Sequence, residues 1–268
     1  MVGEASRGED ALIQIPHCRP DLVTLDIELP GIDGIATLTE LRRIAPGLPV
    51  IMLSVLAREG ADITLEALSA GAADFIDKGS LNVMDFRQLS SELLAKIKLW
   101  ADQGGLGQRE FTDNSGNGTG RSGAELVVDW SRYDLCIVGA STGGPAAIER
   151  LLVSTRRDFP IPVVVVQHMP SGFTRPFAER LDGMSALAIQ EATHGATLAP
   201  GKVLLARSGK HLKVGSDRTI RLSLQPVDAM HRPSIDVTMY SAACALPEGR
   251  VAGILLSGMG NDGAEGMY

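Results

Sequence analysis

Residues Pro162–Val166 read PVVVV and run straight into Gln167 and His168. A short β-branched run without a polar face reads as a strand buried on both sides, and such strands belong to parallel sheets covered by helices on each face. Similar runs recur along the chain. Leu22–Leu25, Val50–Leu53 and Ala73–Ile76 lie in the first part, with helical patterns over Ile35–Ile44 and Ile63–Ser69 between them. Leu135–Val138 and Val251–Leu256 accompany Pro162–Val166 in the second, and Lys202–Ala206 with His211–Val214 reads as a hairpin. Between Gln103 and Gly123 the pattern stops, and seven glycines with hydroxyl and amide side chains mark a flexible linker. The expectation is α/β: two doubly wound parallel-sheet domains, over 1–100 and 132–268, joined by a linker over 101–131.

Charge and hydropathy exclude several classes. With 25 basic against 32 acidic side chains, the net charge of -7 opposes a phosphate-neutralising surface, so nucleic acid is not the expected partner. Mean hydropathy is only +0.10. No apolar run approaches the ~20 residues of a membrane span, so no membrane insertion is expected. Cys18, Cys136 and Cys244 are unpaired in number and lack ligand spacing, which points to a reducing cytoplasm. Cys136 and Cys244 read as buried small hydrophobes.

In doubly wound sheets, ligands sit beyond the carboxyl ends of the strands. Asp26, Ser54 and Lys78 close three such strands in the first part, and together suit phosphorylation of an aspartate with hydroxyl and ammonium partners. In the second part, GASTGG places Ser141 between a strand and a helix, flanked by Gly139 and Gly143. That pattern fits a nucleophile elbow, and equally a phosphate or dinucleotide loop. His168 and Asp262 stand past the ends of two further apolar strands. If the strands are parallel, serine, base and acid converge on one rim, with Nε2 of His168 expected toward Ser141 and Nδ1 toward Asp262. His231, in HRPSID beside Arg232 and Asp236, reads as a cleft-lining or structural histidine.

PDLVTLDIELPGIDG, PVIMLS and GAADFIDK together resemble the response-regulator receiver domain. That likeness implies Asp26 as phosphoacceptor and Ser54 and Lys78 as switch residues. GASTGG, QHMPSGFTRPFAERL, HRPSIDV and SGMGNDGAEGM, in that order, resemble the chemotaxis protein-glutamate methylesterases and glutamine deamidases. The resemblance implies Ser141 as nucleophile, His168 as base, Asp262 as orienting acid and the Met259 amide in the oxyanion hole. It implies a cytoplasmic enzyme with no cofactor for the esterase, and Mg2+ for phosphorylation of the full-length receiver. Its partners would be methyl-accepting chemoreceptors and a chemotaxis histidine kinase. VGEASRGEDAL looks like that family's second strand and helix, so the receiver is expected to lack its first strand, helix and acidic pair, and not to be phosphorylated normally. The methylesterase part is expected to be truncated at its far end. Two other readings stand beside this one: a receiver-controlled, non-enzymatic binding module, and a nucleotide-dependent oxidoreductase using GASTGG as its loop.

Overall fold

A computed structural model describes residues 1–54, 60–78, 86–102, 128–248, 250–258 and 260–268. Most of the expected linker and Met259 lie outside them. The first part holds helix α1 (Gly8–Cys18), strand β1 (Val23–Asp26), α2 (Gly34–Ile44), β2 (Val50–Ser54), α3 (Gly60–Ser69), β3 (Asp74–Asp77) and α4 (Phe86–Asp102). Its three strands pair in parallel in the order β1-β2-β3. Residues 1–7 form no strand, contrary to the expectation for the opening segment. VGEAS offers few apolar side chains to a sheet face, and a strand needs a ladder to be stable.

The second part begins at a 3-10 turn over Trp130–Arg132. It continues through β4 (Leu135–Ala140), α5 (Gly144–Ser154), β5 (Val163–Gln167), α6 (Thr174–Met184), β6 (Ala188–Glu191) and β7 (Lys202–Leu205). β8 (His211–Val214), β9 (Ile220–Ser223), α7 (Ile235–Ala245) and β10 (Val251–Leu255) complete it. Five strands form one parallel sheet, ordered β10-β4-β5-β7-β6. Both halves are thus parallel-sheet α/β folds.

Burial explains this order. All of β4 and β5 is buried, and each enclosed Val or Ile contributes about 1.5–3 kcal/mol, so these strands take the middle. The hairpin is not where the sequence pattern placed it. β7 has three consecutive buried residues and joins the interior of the sheet, whereas β8 turns back antiparallel onto β9. β6 alternates exposed and buried positions at the sheet edge. Of the two cysteines expected inside, Cys136 is buried on β4, where burial raises its thiol to about 12. Cys244 is exposed, because the inward stripe of α7 is carried by Ile235, Met239 and Ala242.

The halves share a core. One cluster of buried side chains runs from Leu38, Met52 and Phe75 in the first part to Ile148, Phe173 and Leu181 in the second. Phe75 and Phe173 stack with ring centroids 5.2 Å apart.

Candidate functional site

β4 ends at Ala140, and the chain turns at once into α5 through Ser141, Thr142 and Gly143. Gly143 has φ +72°, a left-handed conformation that suits glycine and lets the turn expose the serine side chain. The elbow is pinned on three sides. The Ser141 N–H donates to the Ser257 carbonyl at 3.0 Å, and the Gly144 N–H donates back to the Ser141 carbonyl at 2.8 Å. The buried Gln167 amide donates to the carbonyls of both Ser141 and His168, each at 2.9 Å, tying two loops of the site together. Gly258 is needed for close approach: a Cβ there would lie 2.9 Å from the Ser141 Cβ. The Gly144 amide, at the start of α5, is thus committed to the Ser141 carbonyl.

His168 follows β5, the strand beside β4, and Asp262 follows β10, the strand on the other side. The three side chains meet on one rim. Ser141 Oγ lies 3.1 Å from His168 Nδ1, and His168 Nε2 lies 2.8 Å from Asp262 Oδ2. The ring nitrogens are thus used the opposite way round from the sequence expectation. The His168 N–H donates to the Ala140 carbonyl, next to Ser141, so the ring nitrogen nearer the main chain meets the serine. The farther one reaches Asp262. Donation from Nε2–H to the carboxylate leaves Nδ1 as the acceptor for the serine hydroxyl.

Asp262 is held at the amino end of α7. Its Oδ1 accepts from the Ser234 hydroxyl at 2.8 Å and the Asp236 N–H at 3.1 Å, while Oδ2 also accepts from the Ile235 N–H at 2.8 Å. Burial alone would raise this carboxyl, but the bonds from His168, the two amides and Ser234 outweigh it and hold it well below the usual range. The positive end of the α7 dipole acts in the same direction. Ser234 is the N-cap, its oxygen also accepting from the Val237 N–H. Its own N–H donates to Nδ1 of the fully buried His211, whose Nε2 faces the Pro226 carbonyl. Ser234, Gln167 and His211 were not singled out from the sequence. The run PSID before a helix does carry an N-cap signal.

Beside the triad lies a cleft of about 410 Å3, lined by His231, Ser234, Asp236, Tyr240, Asp262 and Glu265 among others. Against the turn sits Trp100, from the end of α4: a Cβ on Gly143 would be 3.3 Å from the indole Cζ2. His168 and Asp262 are each only 11% exposed.

In the first part, Lys78 Nζ lies 2.5 Å from Asp26 Oδ2. Ser54 is buried and takes its hydroxyl contact from Thr64 on α3 at 2.9 Å rather than from Asp26. Among the described residues no group of three His, Cys, Asp or Glu stands where it could hold a metal. Asp26 is met by the Lys78 ammonium, and with no such group gathered among the described residues these do not fit a Mg2+ site.

A family model described as CheB methylesterase matches residues 136–268, and one described as a response regulator receiver domain matches residues 1–88. The protein-glutamate methylesterase/protein-glutamine glutaminase 1 of Oleidesulfovibrio alaskensis is 38% identical over 291 residues, covering all of this chain and 78% of that protein. The chain belongs to the protein-glutamate methylesterase/protein-glutamine glutaminase family. A relative of the same name from Carboxydothermus hydrogenoformans is 40% identical over 277 residues, covering all of this chain and 76% of that one. Among solved structures, the Thermotoga maritima CheB methylesterase catalytic domain is 35% identical, with a TM-score of 0.46 over 50% of this chain and 72% of that one. Among the described residues, no helix is long and apolar enough to cross a membrane.

Proposed function

We propose that this family member hydrolyses methyl esters on glutamate side chains of a chemoreceptor and deamidates receptor glutamines, using Ser141 as nucleophile, His168 as general base and Asp262 as orienting acid. The observation that carries this reading is the unbroken hydrogen-bonded line from the Ser141 hydroxyl through His168 to Asp262. Ser141 Oγ attacks the γ-carbonyl carbon while its proton passes to His168 Nδ1. The imidazolium so formed is balanced by Asp262, which stays ionised because four donors hold it. Collapse of the tetrahedral adduct expels methanol, or ammonia from an amide, which takes the proton back from Nδ1. Water, giving a proton to the same nitrogen, then attacks the acyl-serine; the acyl–Oγ bond breaks, Ser141 Oγ takes that proton back from Nδ1, and the released glutamic acid ionises to its carboxylate. Ester and amide meet the same serine, so one site serves both. The Met259 amide is part of the proposal as an oxyanion donor, although that residue lies outside those described.

The first part is proposed to control access. Its apolar side chains are continuous with the core of the second, and Trp100 lies against the Ser141 turn. A shift between docked and released arrangements would uncover the elbow. In this reading the input that the family uses is a phosphoryl group from a histidine kinase at Asp26, and this chain, whose described residues do not fit Mg2+, is expected to take it up poorly.

Methanol release from a methylated chemoreceptor, followed with the full chain, tests the reading. Ser141→Ala is expected to abolish it, and unchanged release in that variant would overturn the proposal.

A further inference from the structure

His231 is the one motif histidine that the triad leaves unused, yet its ring lies flat on His168. The two centroids are 4.0 Å apart and the planes differ by 21°. The hydrogen bonds of His168 run in the ring plane, to Ser141 on one side and Asp262 on the other. Such bonds resist sliding of the ring but do little against tilting out of its plane. An aromatic face 4.0 Å away blocks that tilt. It also presents π density to His168 when the ring takes up a proton, provided that His231 itself is neutral.

The surroundings bear on that condition. His168 faces His231 from the loop after β5; Asp262 and Glu265 line the same cleft from the segment after β10, Asp236 from α7, and Asp228 from the loop of His231 itself. Burial, reinforced by the charge of His168, pushes His231 below the usual histidine range, against the opposing pull of Asp262. Protonation of both stacked rings would be mutually repulsive, which opposes a second proton on His231 while His168 carries one.

We propose that His231 is a positioning residue: its ring stacks on His168, holds that imidazole in the plane joining Ser141 to Asp262, and faces the imidazolium as it forms. This rests on the hydrolase reading above. Two variants separate the stack from the imidazole chemistry of His231, since His231→Ala removes the face and His231→Phe keeps it.

Nitrogen-15 spectra of the histidine side chains in the full chain read the position of the His168 ring directly. The unsubstituted protein is expected to show His168 Nδ1 as an unprotonated acceptor and Nε2 as the protonated nitrogen. His231→Ala should average that tautomer signature, and His231→Phe should keep it. In methyl-ester hydrolysis, His231→Ala should lower kcat by about ten- to hundred-fold, the usual consequence of a misplaced catalytic group, with a smaller change in KM. His231→Phe should recover most of that loss. An unaltered His168 signature in His231→Ala, or a His231→Phe as impaired as His231→Ala, overturns the proposal. Absence of hydrolysis by the unsubstituted chain, with the spectral pattern as expected, would sink the hydrolase reading alone and leave the stacked ring in its positioning place.

Discussion

Ser234 does two jobs with one oxygen. It caps α7 by accepting the Val237 N–H, and it donates its proton to Asp262. Ser234→Ala should therefore cost about 1 kcal/mol of stability through the lost cap. It should also lower kcat by about ten-fold, the equivalent of about 1.4 kcal/mol of transition-state stabilisation. Thermal unfolding and methanol release check the two effects separately, and a loss of stability with full kcat would leave Ser234 a cap and nothing more. At this scale Ser141, His168 and Asp262 were legible because each stands just past an apolar run, at the end where parallel strands present their side chains. The orientation of His168 was not legible. It depends on its main-chain bond to Ala140, and such a contact between neighbouring strands leaves no trace in residue types. Nor could the sequence say which helix end would receive Asp262, since α7 and β10 come together only in the folded sheet.

Among the elements, the runs with two apolar faces were the readable ones. β4 and β5 stand out by composition, whereas β6 hides as a short Ala-Ile-Gln-Glu edge strand. β7 was read as half of a hairpin because two short strands in succession look alike whether they pair with each other or with a third. Only the burial of Val203, Leu204 and Leu205 distinguishes the two cases. The end of α4 bears on function more directly. Trp100 is 7% exposed and rests against Gly143, two residues from the serine. Trp100→Ala should cost about 3 kcal/mol of stability, as truncation of a buried aromatic does. If α4 restrains access to the elbow, the same variant should release methanol faster than the unsubstituted chain at a temperature where both are folded. A variant that is destabilised but no faster would remove the tryptophan from any gating role.

Across the whole molecule, acid sensitivity should arrive in two steps. His211 and His231 are both held below the histidine value of 6.5, in each case chiefly by burial. The unfolded chain therefore takes up protons that the fold refuses, and their contribution to stability is complete above pH 6.5 and declines as the pH falls below it. Asp134 adds a lower step. The Arg250 and Arg218 guanidiniums hold it at about 2 against 3.8 in the unfolded chain, so its contribution is present above 3.8 and lost as the pH falls toward about 2. Tm measured against pH should show the first decline before carboxylates begin to protonate, and a Tm that stays level until that point would refute the histidine step.

The cradle of Asp262 has a further consequence. Two of its donors are peptide amides at positions 235 and 236, supplied by the backbone whatever side chain is attached. Rewriting those side chains can alter packing, but only an imino acid erases a donor, and proline at the first helical position is one that a helix tolerates. The negative charge behind His168 is thus guaranteed by the path of the main chain, and much of the site could be redesigned around it without the acid losing its grip.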